Sequence, residues 1–203
     1  MMLQALWDWR RQVAALYAAV RAEPDAEAAW QYWRRTRDEL YRAHPQTPIE
    51  PGPLAGFAGL PFFPYDKALR FLVHLDPLAD QPEQCFPAGA DGEVAMRPFA
   101  RTAGLRETLG GELTLYWLLG YCGGVFLPFA DATSGRETYG AGRYLLDTIK
   151  SADLGNAPDG RTVLDFNFAY NPSCAYSPRW VCPLAPAANR LPRPVRAGEK
   201  TPA

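Results

Sequence analysis

Residues 93–129 read EVAMRPFARTAGLRETLGGELTLYWLLGYCGGVFLPF. Apolar-rich runs at 93–99, 105–109, 112–119 and 125–129 alternate with glycine turn signals, the pattern of short β-strands. Gly110-Gly111 predicts a two-residue hairpin turn joining 105–109 to 112–119, and Cys122-Gly123-Gly124 predicts the next reversal. Connections this short leave no room for crossover helices, so the strands must pair antiparallel.

Upstream, residues 68–75 read as a further strand, followed by a long loop over 80–92 with Gln81-Pro82, Pro87-Ala88 and Asp91-Gly92. Downstream, 142–149 and 162–168 read as two more strands around a 153–160 loop of small, turn-forming residues. The proline-rich stretch 178–194 reads as extended coil that wraps the body. At the N-terminus, Leu3, Leu6, Trp7, Val13, Leu16, Tyr17 and Val20 recur at helical spacing. Glu23-Pro24-Asp25 breaks that helix, and Asp25 caps a second one carrying Ala28, Trp30, Trp33, Leu40 and Tyr41. His44-Pro45 ends it.

The expected architecture is α+β and mainly β: an antiparallel, barrel-like sheet with an N-terminal helical hairpin and a long C-terminal coil. It is expected as a single domain over 1–203, with the hairpin at 3–43, an irregular connector at 44–67, and the sheet with its polar motifs at 68–203. The hairpin stripe, without convergent polar partners, reads as scaffold.

Composition narrows the function classes. A formal net charge of −1 over 203 residues gives no field to gather nucleic acid or an anionic membrane. No apolar run is long enough to span a bilayer, and Asp8, Arg10 and Arg11 interrupt any secretory h-region. The chain is therefore expected in the cytoplasm, with its four cysteines as free thiols by default. Two histidines cannot supply a three-imidazole metal site. The nucleophile elbow, the phosphate-binding loop, the dinucleotide fingerprint and the His-Glu-x-x-His pair are all missing from the sequence. Cofactor and oligomeric state are unknown from sequence.

The chemistry-bearing residues cluster between 129 and 182. In Arg136-Glu137-Thr138-Tyr139-Gly140-Ala141-Gly142-Arg143-Tyr144, an extended chain would put Glu137, Tyr139 and Arg143 on one face and Tyr144 on the other. A carboxylate, a phenol and a guanidinium on one face suit a small anionic ligand, with arginine as the gripping cation. In 164–172, LDFNFAYNP, Asp165 and Asn167 share a face and Asn171-Pro172 starts a turn. The candidate ligand set is Arg136, Glu137, Tyr139, Arg143, Tyr144, Asp165, Asn167 and Asn171, with Glu137, Tyr139 and Asp165 as candidates for catalysis. The competing reading makes the same residues a structural polar network, with function in protein interaction elsewhere. Cys174 and Cys182 stand eight apart, a weak metal spacing. They are expected close in space, and packed thiols, a redox disulfide and half a metal site all stay open. Whether chemistry follows binding stays open too.

The chain resembles a known family at residues 129–131 (FAD), Thr133-Ser134-Gly135, Glu137-Thr138-Tyr139, Gly142-Arg143-Tyr144, 164–167 (LDFN), Ala169-Tyr170-Asn171-Pro172 and Cys174-Ala175-Tyr176. Cys182-Pro183-Leu184, Asn189-Arg190-Leu191 and Ala197-Gly198-Glu199-Lys200 extend the likeness to the C-terminus. It is identified by these motifs as similar to the bacterial and archaeal domain-of-unknown-function family 1684. One departure is Ala187-Ala188, where a Pro-Glu pair is expected. The resemblance brings no activity. It implies that the polar segment is a family hallmark.

Overall fold

The computed structural model describes residues 2–87, 92–121 and 123–202. Helices α1 (Met2–Ala22) and α2 (Ala26–Ala43) form the expected hairpin, followed by a short α3 (Pro51–Ala55) in the connector. Seven strands follow: β1 (Arg70–Pro77), β2 (Gln84–Pro87), β3 (Glu93–Ala103), β4 (Thr114–Leu118), β5 (Gly124–Phe129), β6 (Arg143–Asp147) and β7 (Thr162–Asp165). A one-turn helix α4 (Arg106–Leu109) stands between β3 and β4.

The strands pair in the order β6-β5-β4-β3-β1-β7, and every pairing is antiparallel. β3 is the spine. Its first half pairs with β2, from Gln84↔Met96 to Pro87↔Glu93, and its second half with β1, from His74↔Ala103 to Pro77↔Ala100. Register shifts fall at Pro98 in β3 and Pro128 in β5, as expected for residues that cannot donate to the ladder. The chain leaving β7 reaches β6 through two hydrogen bonds, Tyr144 N–H to Tyr170 O (2.9 Å) and Tyr170 N–H to Tyr144 O (3.0 Å). The sheet is thus nearly closed into a barrel, mainly β with helices added.

Both faces of the sheet are covered. Leu115, Leu127 and Leu145 pack in one cluster with Leu191, Val195 and Ala197 of the C-terminal coil. Their chain neighbours Tyr116, Phe126 and Tyr144 pack in another, with Leu16, Tyr17, Trp30 and Trp33 of the helical hairpin. Every residue of β6 is buried for this reason. In α2 the N-cap forms as expected, the Ala28 N–H donating to Asp25 Oδ1 at 2.7 Å.

Four expectations need correction. Residues 105–109 do not form a strand. The Glu112 carboxylate accepts from the backbone N–H groups of Gly104, Leu105 and Arg106 at 2.9–3.1 Å, so it satisfies the free donors at the start of α4. Gly110 then ends that helix in the left-handed region at φ +80°, which removes the two-glycine hairpin. The 80–92 loop contains β2, because Cys85 and Phe86 complete the free edge of β3; residues 88–91 and Cys122, part of two expected turns, lie outside the described residues. The strands at 142–149 and 162–168 stop early, each passing into a 3₁₀ turn at Thr148–Lys150 and Phe166–Phe168. Trp7 does not join the hairpin stripe: it is 64% exposed while Trp33 is fully buried, because α1 turns Trp9, Val13, Leu16, Tyr17 and Val20 inward and Trp7 falls on a different side of the helix.

Candidate functional site

Residues 131–142 fold as consecutive turns rather than an extended strand. Ser134 N–H donates to Asp131 O (3.0 Å), Glu137 N–H to Thr133 O (2.9 Å) and Gly142 N–H to Tyr139 O (3.1 Å). The side chains expected on one face therefore diverge. Glu137 pairs at the surface with Arg196, whose Nε lies 3.0 and 3.1 Å from the two carboxylate oxygens. That hydrogen bonding lowers the Glu137 carboxyl from its ordinary value. Arg136 is exposed.

Arg143 turns inward and is 1% exposed. Its Nη2 donates to Asp131 Oδ2 and to Val195 O, both at 2.9 Å. Nη1 donates to the carbonyls of Ala197 and Glu199. Asp131 Oδ1 accepts from the Val195 N–H (3.0 Å), the Thr133 N–H (2.8 Å) and the Thr133 hydroxyl (2.7 Å). One buried ion pair thus fastens the C-terminal coil through four of its backbone groups. Burial lowers the Arg143 pKa and Asp131 opposes that shift, but a guanidinium stays charged in proteins.

A second buried carboxylate, Glu199, sits beside it. Oε1 accepts from Nε and Nη2 of Arg37 on α2, and Oε2 from the Asn171 N–H (2.7 Å) and the Tyr176 hydroxyl (2.8 Å). Burial works against the Arg37 charge, but Glu199 together with Tyr41, Tyr176 and Tyr17 outweighs it and holds the pKa above its ordinary value. Asn171 Nδ2 donates to Lys200 O at 2.7 Å. Asn171 therefore serves the coil.

Asp165 and Asn167 do come together, though not on a strand face. Asp165 Oδ1 accepts from the Asn167 N–H (3.0 Å) and Nδ2 (2.8 Å), which starts the 3₁₀ turn. Asn167 continues to the Asp66 backbone, accepting at Oδ1 (2.9 Å) and donating from Nδ2 (2.8 Å). Oδ2 of Asp165 has only Tyr65 Oη at 3.5 Å and Arg70 Nε at 3.7 Å. Burial raises its carboxyl to about 6. The side chain borders a small cavity of about 90 Å³ beneath the α1–α2 connection.

Tyr139 reaches a different space. It lines an open cleft of about 510 Å³ together with Phe86, Cys174, Trp180, Cys182 and Leu184. Its hydroxyl points at the Cys174 carbonyl (3.4 Å) and Sγ (3.6 Å). Cys174 and Cys182 both line this cleft. Tyr144 supports the loop from beneath, its hydroxyl donating to Pro183 O at 2.7 Å. The thiol of Cys174, the N–H of Cys174, Lys150 and Tyr144 favour the thiolate at Cys182 over the opposing effect of burial, and lower its pKa to about 6. Cys174 is pushed the other way by Cys182 and by burial. Among the described residues no group of three or more His, Cys, Asp or Glu is placed to hold a metal ion.

The eight ligand candidates thus divide among a buried clamp (Arg143, Asn171), the turn and small cavity at Asp165 and Asn167, the surface (Arg136, Glu137), the core beneath the loop (Tyr144) and the cleft (Tyr139), and do not converge. Asp131, Glu199 and Arg37, the partners that complete the clamp, escaped the sequence reading; the first two stand inside the 129–131 and 197–200 motifs, which was the available signal. Phe86 and Trp180 of the cleft carried no signal beyond being aromatic.

The solution NMR structure of an uncharacterised protein from Haloarcula marismortui is similar to this chain, with 31% identity, a TM-score of 0.60, and coverage of 86% of this chain and 94% of that one. No curated protein matches. The model of a family described as protein of unknown function, DUF1684, matches residues 55–200, and the chain belongs to that family.

Proposed function

We propose that the chain binds a small molecule in the cleft beside the 173–186 loop, and that the polar motif is the frame that holds this loop and the coil after it. The observation carrying this reading is the division among the candidates. Tyr139 opens onto a 510 Å³ space, within the range of small-molecule sites. The donors of Arg143, by contrast, end on Asp131 and on backbone carbonyls. Freeing Arg143 for an anion would strand Asp131 as a buried unpaired charge, at a cost of about 3–5 kcal/mol. Phe86, Trp180 and Leu184 suit an apolar or aromatic body, and the Tyr139 hydroxyl gives it orientation.

A thermal-shift screen over a metabolite panel tests this with two variants. Trp180 is 39% exposed, so Trp180→Ala should leave intrinsic melting nearly unchanged and abolish the ligand shift. Arg143→Met should melt several degrees lower while keeping the ligand shift. A ligand shift that survives Trp180→Ala and disappears in a normally melting Arg143→Met would move the site back into the polar motif.

A further inference from the structure

The loop from Pro172 to Pro183 brings two thiols to the mouth of the cleft. Fully extended, eight residue steps would part them by roughly 26 Å. Instead, the chain makes a 3₁₀ turn at Ser173–Ala175 and a second turn where the Trp180 N–H meets Ser177 O at 3.3 Å, and then doubles back. Pro172, Pro178 and Pro183 stiffen the path. Both thiols are free and half-buried, so a reagent in the cleft can reach them. Their surroundings differ. Both line the cleft, Cys174 Sγ lies 3.6 Å from the Tyr139 hydroxyl, and the influence of Cys174 and Lys150 favours the thiolate at Cys182. Reactive cysteines sit in such partly exposed, donor-rich places, whereas structural cysteines are buried among apolar groups.

We propose that Cys182 and Cys174 form a dithiol pair that exchanges with small disulfides entering the cleft, Cys182 attacking and Cys174 resolving. The inference rests on the cleft reading, since a disulfide needs that opening to reach the thiols. In the first step the Cys182 thiolate attacks one sulfur of R–S–S–R. The S–S bond breaks, a Cys182–S–S–R bond forms, and RS⁻ leaves. In the second step Cys174 gives up its proton and attacks the Cys182 sulfur. The mixed disulfide breaks, a Cys174–Cys182 bond forms, and the second RS⁻ leaves. Two electrons pass from the protein to the substrate, and the net products are one protein disulfide and two RSH. Excess low-molecular-weight thiol reverses both steps. The asymmetry of the two thiols sets the order of attack: the lowered Cys182 is thiolate near neutral pH, and the raised Cys174 remains a thiol until the mixed disulfide forms.

The test uses the reduced full chain and glutathione disulfide as probe. Arg179 lies between the cysteines, so trypsin places Cys174 and Cys182 on separate peptides and distinguishes them from Cys85 and Cys122. The wild type should give the linked 174–182 peptide pair without a lasting glutathione adduct, and glutathione in excess should undo the link. Cys174→Ser should trap glutathione on Cys182, roughly tenfold or more faster than Cys182→Ser traps it on Cys174, the ratio that one pKa unit gives. Iodoacetamide on the unmodified protein should alkylate Cys182 first and keep doing so down towards pH 6. Unlinked peptides together with equal alkylation of both thiols would overturn the proposal. The Cys174→Ser/Cys182→Ser double variant cannot exchange but keeps the cleft. If it still shows a ligand shift while the wild type fails to link, exchange is wrong and the cleft reading stands. If it shows none while the wild type links, the reverse holds.

Discussion

Gly198 lies in the left-handed region at φ +75°, packed against the chain leaving β7. An added Cβ would press on the Ala169 carbonyl and come within 2.8 Å of both the Ala169 Cβ and the Phe166 carbonyl. Backbone atoms cannot move aside as a side-chain tip can. Gly198→Ala should therefore cost roughly 2–4 kcal/mol in urea unfolding, and a loss under about 1 kcal/mol would show that the coil accommodates it. Asp165 gives a pH test on the same scale. Its folded pKa of about 6 lies above the ordinary 3.8, so the fold favours its protonated form. Its contribution to stability is fully present below about pH 4 and is lost as pH rises through about 6, a change of about 3 kcal/mol. Asp165→Asn should flatten the stability profile across that window, as urea midpoints at pH 4.5 and 7 would reveal. An unchanged slope would assign the pH dependence to other groups.

Elements show where local sequence information ends. The 105–109 run holds Leu105 and Leu109, which suit a strand or a helical turn equally. The choice is made by Glu112, three residues past its end, whose carboxylate takes the free N–H groups. Burial raises the Glu112 carboxyl, but the Thr102 hydroxyl and those N–H donors together outweigh it and lower the pKa. Glu112→Ala should thus cost about 2 kcal/mol, at the upper end for a lost helix cap, whereas a neutral result would mean the turn is held by Leu105 and Leu109 alone. The hairpin divides in the same way. Trp33→Ala should cost roughly 3–5 kcal/mol, and Trp7→Ala, on the exposed side of α1, within about 0.5 kcal/mol. Equal losses would contradict the observed placement of the stripe. The helical period of both segments was plain in the sequence; that Trp9 and not Trp7 carries the inward side of α1 depends on Tyr41 and His44 of the other segment and was not. Likewise the 129–182 stretch was recognisable as dense in polar groups, but the partners of Arg143 lie 12 residues before it and more than 50 after it. Strand alternation cannot find such partners.

Across the whole molecule, the C-terminal coil is a third layer of the fold. Val195 and Ala197 close one core cluster, Asp131–Arg143 ties their backbone to β6, and Arg37–Glu199 ties the following residues to α2. Asp131, Arg143, Asn171 and Glu199 are the fasteners of this layer, and the cleft with Cys174 and Cys182 sits on the loop that leads into it. Native-state hydrogen exchange of the 195–200 amides tests that claim most directly. Val195 N–H donates to Asp131, Glu199 N–H to Ala169 O and Lys200 N–H to Pro61 O. These amides should exchange as slowly as those of β5 and β6, through global unfolding alone. Fast exchange at 195–200 with β5 and β6 still protected would make the coil a loose appendage, and would contradict the clamp on which this account rests.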